Sequence, residues 1–254
     1  MLSKFRRQII QMAYNAKEGH IPSALSILDI VYVLYDKILK IDPTNPTDPN
    51  RDRFILSKGH GALALYVVLA EKGFFPVSEL GKFAQYGSML GGHPDCTKIP
   101  GVEASTGSLG HGAAMSVGIA MALKMQKNPA KVYCLIGDGE LNGGSVWESA
   151  LLAAHHRLDN LCWIIDYNHS TGRALGLGDL HMKFRSFGWL AAYGNGHYHQ
   201  FMCNVFPNKI SYYPFVFIAN TIKGEGISFM AGNPMWHHKF PNQEEYDMAM
   251  GELL

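Results

Sequence analysis

The chain has 254 residues, a length that at roughly 150 residues per domain predicts one large domain spanning residues 1–254. Its 22 basic and 21 acidic residues give a net charge of +1, so we expect neither nucleic acid nor a membrane surface as a partner. The hydrophobic content of 47% excludes intrinsic disorder. We also expect a cytoplasmic protein, because the sequence lacks an apolar run of about 18 residues and a secretory signal at its start.

The first half of the chain alternates helical spacing with glycine- and proline-rich breaks. Apolar side chains recur at helical spacing over 5–17. After the break from Gly19 to Ser23 a second helix is expected, with Ser23 as its N-cap. Further along, the pattern predicts a loop over 42–52, a short apolar run over 53–57, a helix over 62–71, an irregular glycine-rich segment over 86–112 and a helix over 113–127 with its methionines in the core.

The second half of the chain contains continuous apolar runs separated by helices. Strands of this kind are buried on both faces, which indicates an α/β fold with a parallel sheet and helices on both sides. Ligands of such sheets bind beyond the carboxyl ends of the strands, where the glycine and histidine clusters of this chain occur. Strands are predicted over 132–136, 161–165, 189–193 and 214–219, and helices over 145–156 and 180–187.

A turn of sequence Gly137-Asp138-Gly139 follows the strand over 132–136. Its glycines allow an anion to approach the backbone closely, but the following residues are out of register for a dinucleotide-binding fingerprint. Asn168 ends the next strand about one βα unit later, so adjacent parallel strands would place it beside Asp138. Carboxylate and amide oxygens suit Mg²⁺, which favours a metal-bridged diphosphate. Taken alone, the tripeptide is equally consistent with an ordinary strand-to-helix turn that binds no ligand.

This spacing resembles the thiamine diphosphate signature, and further motifs resemble the N-terminal half of transketolase, in the order of that family. The motifs are Gly19-His20-Ile21-Pro22-Ser23, Ser57-Lys58-Gly59-His60-Gly61, Gly92-His93-Pro94, Ser105-Thr106-Gly107-Ser108-Leu109-Gly110-His111-Gly112, Gly137-Asp138-Gly139-Glu140, Leu158-Asp159-Asn160-Leu161, Phe187-Gly188-Trp189 and Lys223-Gly224. The resemblance covers essentially the whole chain, and it implies the thiamine diphosphate-binding fold of that family.

The resemblance also implies roles for individual residues. Asp138, Asn168 and the carbonyl of Ser170 resemble the ligands of Mg²⁺, for which Ca²⁺ or Mn²⁺ can substitute. His20, His93 and His237 resemble the catalytic histidines that face substrate hydroxyls, where imidazole relays protons near neutral pH. The residues that resemble the contacts to thiamine diphosphate are His60, Gly107, Ser108, Leu109, Gly139, Glu140, Asn168 and His237.

The activity that the resemblance implies is the transfer of a two-carbon ketol unit from a ketose to an aldose, with sugars or sugar phosphates as substrates. The family's activating glutamate lies in a further domain, whereas this chain stops at Leu254. We therefore expect a partner similar to the C-terminal half of transketolase, in an α2β2 assembly. Two alternatives stay open: an acyloin-forming or decarboxylating enzyme component that uses a 2-oxo acid donor, and a non-catalytic paralogue.

Three positions depart from the family pattern. Gly143 stands where most relatives have a glutamate that helps link the two active sites, and the segment 169–179 is shorter than usual. His238 follows His237 where glycine is common, which leaves open the question of which histidine faces the cofactor. The remaining histidines of note, interpreted as packing, surface or loop residues rather than ligands, are His155, His156, His197 and His199.

Overall fold

The structure of the chain is a computed structural model that describes residues 1–173, 175–206 and 212–253. Ala174, inside the segment expected to be shortened, lies outside the described residues. Within the described ranges, no helix is long and apolar enough to cross a membrane. The helices there are α1 (Leu2–Ala16), α2 (Ile21–Leu25), α3 (Leu28–Val33), α4 (Ala62–Lys72), α5 (His111–Met125), α6 (Gly144–His155), α7 (Leu180–Ser186), α8 (His199–Val205) and α9 (Gln243–Glu252).

The strands form one parallel sheet in the order β1-β2-β3-β5-β4. They are β1 (Arg53–Leu56), β2 (Val132–Gly137), β3 (Leu161–Tyr167), β4 (Leu190–Asn195) and β5 (Phe215–Asn220). In this register Gly137 pairs with Asp166, and Tyr167 pairs with Asn220. The turns that follow β2, β3 and β5 are therefore neighbours at one edge of the sheet, and the α/β fold predicted from the apolar runs is confirmed.

Two hydrophobic cores cover the two faces of the sheet, because successive side chains of a strand point to opposite sides. Along β2, Tyr133 and Leu135 join the core formed with α1–α4, α8 and α9, whereas Cys134 and Ile136 join the core formed with α5–α7. Every residue of β2 is buried. The central strands are thus fixed from both sides, which gives the turns at their ends a rigid base.

Most predicted elements are confirmed, but two expectations are wrong. Ser23 is buried inside α2 instead of capping it, because the helix begins two residues earlier with Pro22 in its first turn, a position that proline favours. The methionines of α5 are not all core residues: Met125 is 82% exposed and Met115 is also exposed, whereas Met121 is partly buried against the core. The buried face of α5 consists mainly of small residues and Val117. Helices α8 and α9 were not predicted from the sequence.

Candidate cofactor and active site

The predicted metal ligands lie together between the ends of β2 and β3. The Ser170 hydroxyl contacts Asp138 Oδ1 at 3.2 Å and also donates to Asn168 Oδ1. The backbone N–H of Thr171 donates to Asp138 Oδ2 at 3.4 Å. The structure therefore brings Asp138, Asn168 and Ser170 into one cluster, here called the metal-side cluster. The spacing of the two strand ends predicted the first two, and the family resemblance implied Ser170.

A buried ion pair that sequence reasoning missed lies directly behind the metal-side cluster. Lys58, from the turn after β1, donates to Asp166 of β3, and both side chains are at most 1% exposed. The Lys58 side chain crosses the end of β2 beside Gly137, where an added Cβ would lie 3.6 Å from the Lys58 Cβ. Asp166 also accepts a hydrogen bond from Asn168 Nδ2 at 2.7 Å, so the ion pair orients the amide of a predicted metal ligand.

Two further hydroxyls complete the surroundings of Asp166. Ser26 Oγ donates to its Oδ2 at 2.9 Å, and Thr221 Oγ1 donates to Oδ1. Burial alone would raise the pKa of this carboxyl, but Lys58 and the two hydroxyls together hold it below its usual value. Asp166 is therefore ionised in the folded protein and aligns residues from several separate segments of the chain.

Glu140 joins three loops at the same edge of the sheet. Its carboxylate accepts hydrogen bonds from Ser57 Oγ at 2.5 Å, from Gly110 N at 2.7 Å and from Gly137 N at 2.7 Å. Burial raises the pKa of this carboxyl, and the three donors oppose that shift. The side chain predicted to contact the cofactor thus fixes the turns after β1 and β2 against the glycine-rich segment that leads into α5.

Four imidazoles form a cluster, here called the histidine cluster, on the other side of the turn after β1. The ring centre of His20 lies 5.3 Å from that of His60, 5.6 Å from that of His237 and 4.4 Å from that of His238. Burial, together with the neighbouring histidines, lowers the pKa of His20 to about 4, and burial together with Lys58 lowers the pKa of His60 to about 2. At neutral pH both rings are uncharged.

Lys223 connects the histidine cluster to the metal-side cluster, and no sequence argument had assigned it a role. Its Nζ lies 2.8 Å from His237 Nδ1, and burial followed by repulsion from Lys58 lowers its pKa to about 8. A cleft of about 460 Å³, the size of a ligand pocket, is lined by Lys223, His237 and Asn168, among others. In the sequence, Lys223 is marked by its position shortly after β5 and by the Lys223-Gly224 motif, neither of which specifies a contact with His237.

The glycine-rich segment approaches the site from the side of β1. The Thr106 hydroxyl donates to the carbonyl of Leu56 at 2.7 Å. An added Cβ at Gly59 would lie 2.8 Å from the Thr106 backbone, so only glycine permits this contact. Gly107 lies against the ring of His93. Beside them, Leu109 is 52% exposed, which leaves its side chain accessible at the surface of the site.

The donor set at the metal-side cluster fits a divalent cation. Asp138 is 2% exposed, and burial followed by the charge of Asp166 raises the pKa of its carboxyl. A cation would reverse this shift. Asn168 adds an amide oxygen and Ser170 a carbonyl, the oxygen ligands that Mg²⁺ prefers. Among the described residues, no group of three or more His, Cys, Asp or Glu could hold a metal, so a site here depends on this mixed set.

Comparison with known proteins decides the family. The family described as "Transketolase, thiamine diphosphate binding domain" matches residues 1–238. The chain is 39% identical to a protein of Phocaeicola vulgatus that is named as one of the subunits of apulose-4-phosphate transketolase, over 98% of this chain and 91% of that protein. The chain belongs to the transketolase family. Its fold is that of the thiamine diphosphate-binding domain, as the ordered motifs had indicated.

Other transketolases differ in how much of their length the chain covers. It is 39% identical to the 6-deoxy-6-sulfo-D-fructose transketolase subunit SqwG of Clostridium sp., over 92% of this chain and 88% of that protein. The crystal structure of transketolase from Campylobacter jejuni superposes with a TM-score of 0.91 at 33% identity, covering 99% of this chain. The chain spans only 42% of that transketolase, against about nine-tenths of the proteins named as subunits.

The positions that were expected to depart from the family pattern have defined places in the structure. Gly143 precedes α6 and donates its N–H to the Glu140 carbonyl at 3.0 Å. In the short segment after β3, His169 Nε2 contacts Asn220 Oδ1 at 2.9 Å. His238 belongs to the histidine cluster together with His237, so both approach the site.

The four histidines that were interpreted as packing, surface or loop residues are not among those that line the cleft. His155 and His156 are exposed at the end of α6. His197 and His199 both contact the carboxylate of Asp29, at 3.0 and 2.8 Å. The N–H of Ile222 donates to His197 Nε2, so His197 Nδ1 carries the proton that Asp29 accepts. These two side chains thereby fix the turn after β4 and the start of α8.

Proposed function

We propose that the chain is the thiamine diphosphate-binding subunit of a two-component transketolase, which moves a two-carbon ketol unit from a ketose to an aldose. The observation that carries this proposal is the match of nearly the whole chain to relatives that are themselves named as transketolase subunits, at 39% identity. The polar groups required for such a subunit lie at the carboxyl edge of the sheet, where α/β proteins bind ligands.

The metal-side cluster would hold Mg²⁺, with Ca²⁺ or Mn²⁺ able to replace it. Asp138 supplies a carboxylate, Asn168 an amide oxygen and Ser170 its carbonyl. Asp166 keeps the Asn168 side chain oriented, because it accepts a hydrogen bond from the Asn168 amide. Thiamine diphosphate, when bound, supplies the electron sink for breaking and forming the carbon–carbon bond. Its diphosphate would lie between this cluster and His60, and the rest of the cofactor site would be lined by Gly107, Ser108, Leu109 and Gly139.

The histidine cluster supplies groups that hold or move protons. His20 and His60 are neutral near pH 7 because burial lowers their pKa values. A neutral imidazole has one donor and one acceptor nitrogen, so it can orient a sugar hydroxyl and receive its proton. Together with His93 and His237, which the family resemblance assigns to the same role, His20 is proposed to face the hydroxyls and the reacting carbonyl of the substrates.

A partner similar to the C-terminal half of transketolase would complete this site. In the family a glutamate of that half activates the aminopyrimidine. Here the carboxylates at the edge of the sheet are engaged: Asp138 in the metal-side cluster, Asp166 with Lys58, and Glu140 with three donors. Apolar side chains exposed on α5 and α6 also favour an assembly, which we propose is α2β2; they include Met115, Met125, Leu151 and Leu152.

The preferred donor substrate distinguishes this function from its alternatives. We expect the reconstituted complex to transfer a ketol unit from a ketose phosphate to an aldose phosphate, as the names of both bacterial relatives indicate ketoses that carry an anionic group. Turnover is measured by chromatography of the sugar products, with pyruvate as the competing donor. Preference for pyruvate would identify an acyloin-forming or decarboxylating enzyme, and no turnover of either donor would identify a non-catalytic paralogue. Activity in the cytoplasm is part of the same proposal.

A further inference from the structure

His238 makes the closest ring contact of His20. The two imidazoles are stacked, with centres 4.4 Å apart and planes inclined by 25°. On its other side, His238 Nε2 lies 3.4 Å from Glu18 Oε1, two residues before His20. One side chain thus bridges the segment that carries His20 and the segment that carries His237.

The backbone that leads into His238 is anchored by the residues before it. Trp236 is 4% exposed and packs on Phe229, with ring centres 5.3 Å apart. Asn233 begins the preceding turn, where its side chain accepts a hydrogen bond from Met235 N at 3.0 Å and donates to the Phe229 carbonyl at 3.1 Å. Because the turn is fixed by a buried indole and a side-chain cap, the ring of His238 has a defined place from which to support its neighbour.

His20 itself has little else to set its orientation. Among the described contacts, its imidazole makes ring contacts but no direct side-chain hydrogen bond. The groups that face it from other elements are basic; they are His60, His93, His237, His238 and Lys223. With no acceptor fixing its N–H, the torsion of the ring depends on the rings packed around it, and the stacked His238 offers the largest flat surface.

We propose that His238 is a positioning residue, which holds the His20 ring against His60 and His237 by stacking on it while Glu18 fixes His238 from behind. This proposal rests on the proposed function, because it assigns His20 to the substrate side of a transketolase site. It also gives the histidine that replaces the common glycine a defined role. Rotation of the His20 ring would move its nitrogens by more than an ångström, and misplacement on that scale costs up to about a hundredfold in rate.

The test compares His238→Gly with His238→Phe in the complex reconstituted with its partner. His238→Gly removes the ring, and we expect kcat to fall about tenfold with thiamine diphosphate affinity unchanged by calorimetry. His238→Phe keeps the stacked surface and should retain most of the turnover. Met235→Gly is the matched control, because it adds a glycine to the same turn at a side chain that is 80% exposed; its kcat should equal that of the wild type.

A second measurement does not depend on enzyme activity and uses the purified chain without its partner. Nitrogen-15 NMR follows the titration of His20, whose pKa is lowered to about 4 by burial and by its histidine neighbours. Removing His238 takes away burial and a like charge, so the pKa should rise in His238→Gly and rise less in His238→Phe. An unchanged titration of His20 together with wild-type kcat in His238→Gly would overturn the proposal. If the wild-type complex transfers no ketol unit, the proposed function fails. The NMR titration alone then tests whether His238 stacks on His20.

Discussion

The two halves of the site are held in different ways. On the metal side, Asp138, Asp166 and Glu140 are at most 3% exposed, and each carboxylate accepts hydrogen bonds from at least two partners. In the histidine cluster the rings are partly open, and they touch each other through their faces and edges. The metal-side cluster is therefore preorganised by directional bonds, whereas the histidine cluster depends on packing among the rings.

This difference matches the groups that each half is proposed to bind. A diphosphate with its metal has a high, fixed charge, so it binds best to rigidly held ligands beside a buried ion pair. Sugar hydroxyls exchange protons during the reaction, which favours side chains whose charge is not locked by a neighbouring acid. We therefore expect mutations on the metal side to reduce binding or stability, and mutations in the histidine cluster to reduce turnover.

The largest effect is expected for Asp138→Ala. This change removes the carboxylate of the metal-side cluster, so magnesium-dependent binding of thiamine diphosphate should be abolished in the reconstituted complex. Asn168→Ala should reduce the affinity less, because a neutral ligand contributes less electrostatic attraction. Isothermal titration calorimetry measures both; wild-type affinity in Asp138→Ala would remove the assignment of this metal site.

The second effect concerns stability rather than binding. Lys58→Met leaves Asp166 buried without its cation, which should lower the free energy of unfolding by about 3–5 kcal/mol. Lys58→Met combined with Asp166→Asn should recover part of this loss. The control is Lys82→Met, whose surface ion pair with Glu79 should contribute less than about 1 kcal/mol. Urea unfolding followed by circular dichroism measures the free energy of unfolding of each variant. Equal decreases in Lys58→Met and Lys82→Met would show that the buried pair stabilises the fold no more than a surface pair does.

The third effect tests the substrate side. His20→Ala and His93→Ala should each lower kcat by about a hundredfold, the contribution typical of a positioned acid or base. Cofactor affinity should stay within about twofold of the wild type, as for groups that act on the substrate and transition state. His156→Ala, at an exposed ring beyond α6, is the control. A parallel loss of cofactor binding would instead place His20 or His93 among the cofactor contacts.

The smallest effect is a dependence of stability on pH. Burial lowers the pKa of His60 to about 2, against about 6.5 in the unfolded chain. Below pH 6.5 the unfolded chain therefore binds a proton that the folded protein excludes, and acidification destabilises the fold. The slope from this one group reaches up to about 1.4 kcal/mol per pH unit. Urea unfolding of the cofactor-free chain at pH 7.5 and 5.5 measures it; His60→Phe should show a smaller loss, and an equal loss would contradict the buried, neutral state of His60.

The sequence predicts those parts of the site that depend on strand order alone. Asp138 and Asn168 follow consecutive apolar strands, and adjacent parallel pairing brings them together. The Lys58–Asp166 pair could not be found in this way, because its partners lie 108 positions apart and on either side of β2. Helix α9 was missed although its signal is in the sequence: Asn242 and Glu245 form a capping box. Ring contacts such as that of His20 with His238 depend on tertiary packing that no local pattern encodes.

The most direct test of the account is ketol transfer by the purified chain with and without its partner. We expect negligible transfer from a ketose phosphate by the chain alone, even with saturating thiamine diphosphate and Mg²⁺. Adding a partner similar to the C-terminal half of transketolase should restore turnover, which should reach its plateau at equal amounts of the two proteins. Robust turnover by the verified single chain would contradict the claim that the site needs an activating group from the partner.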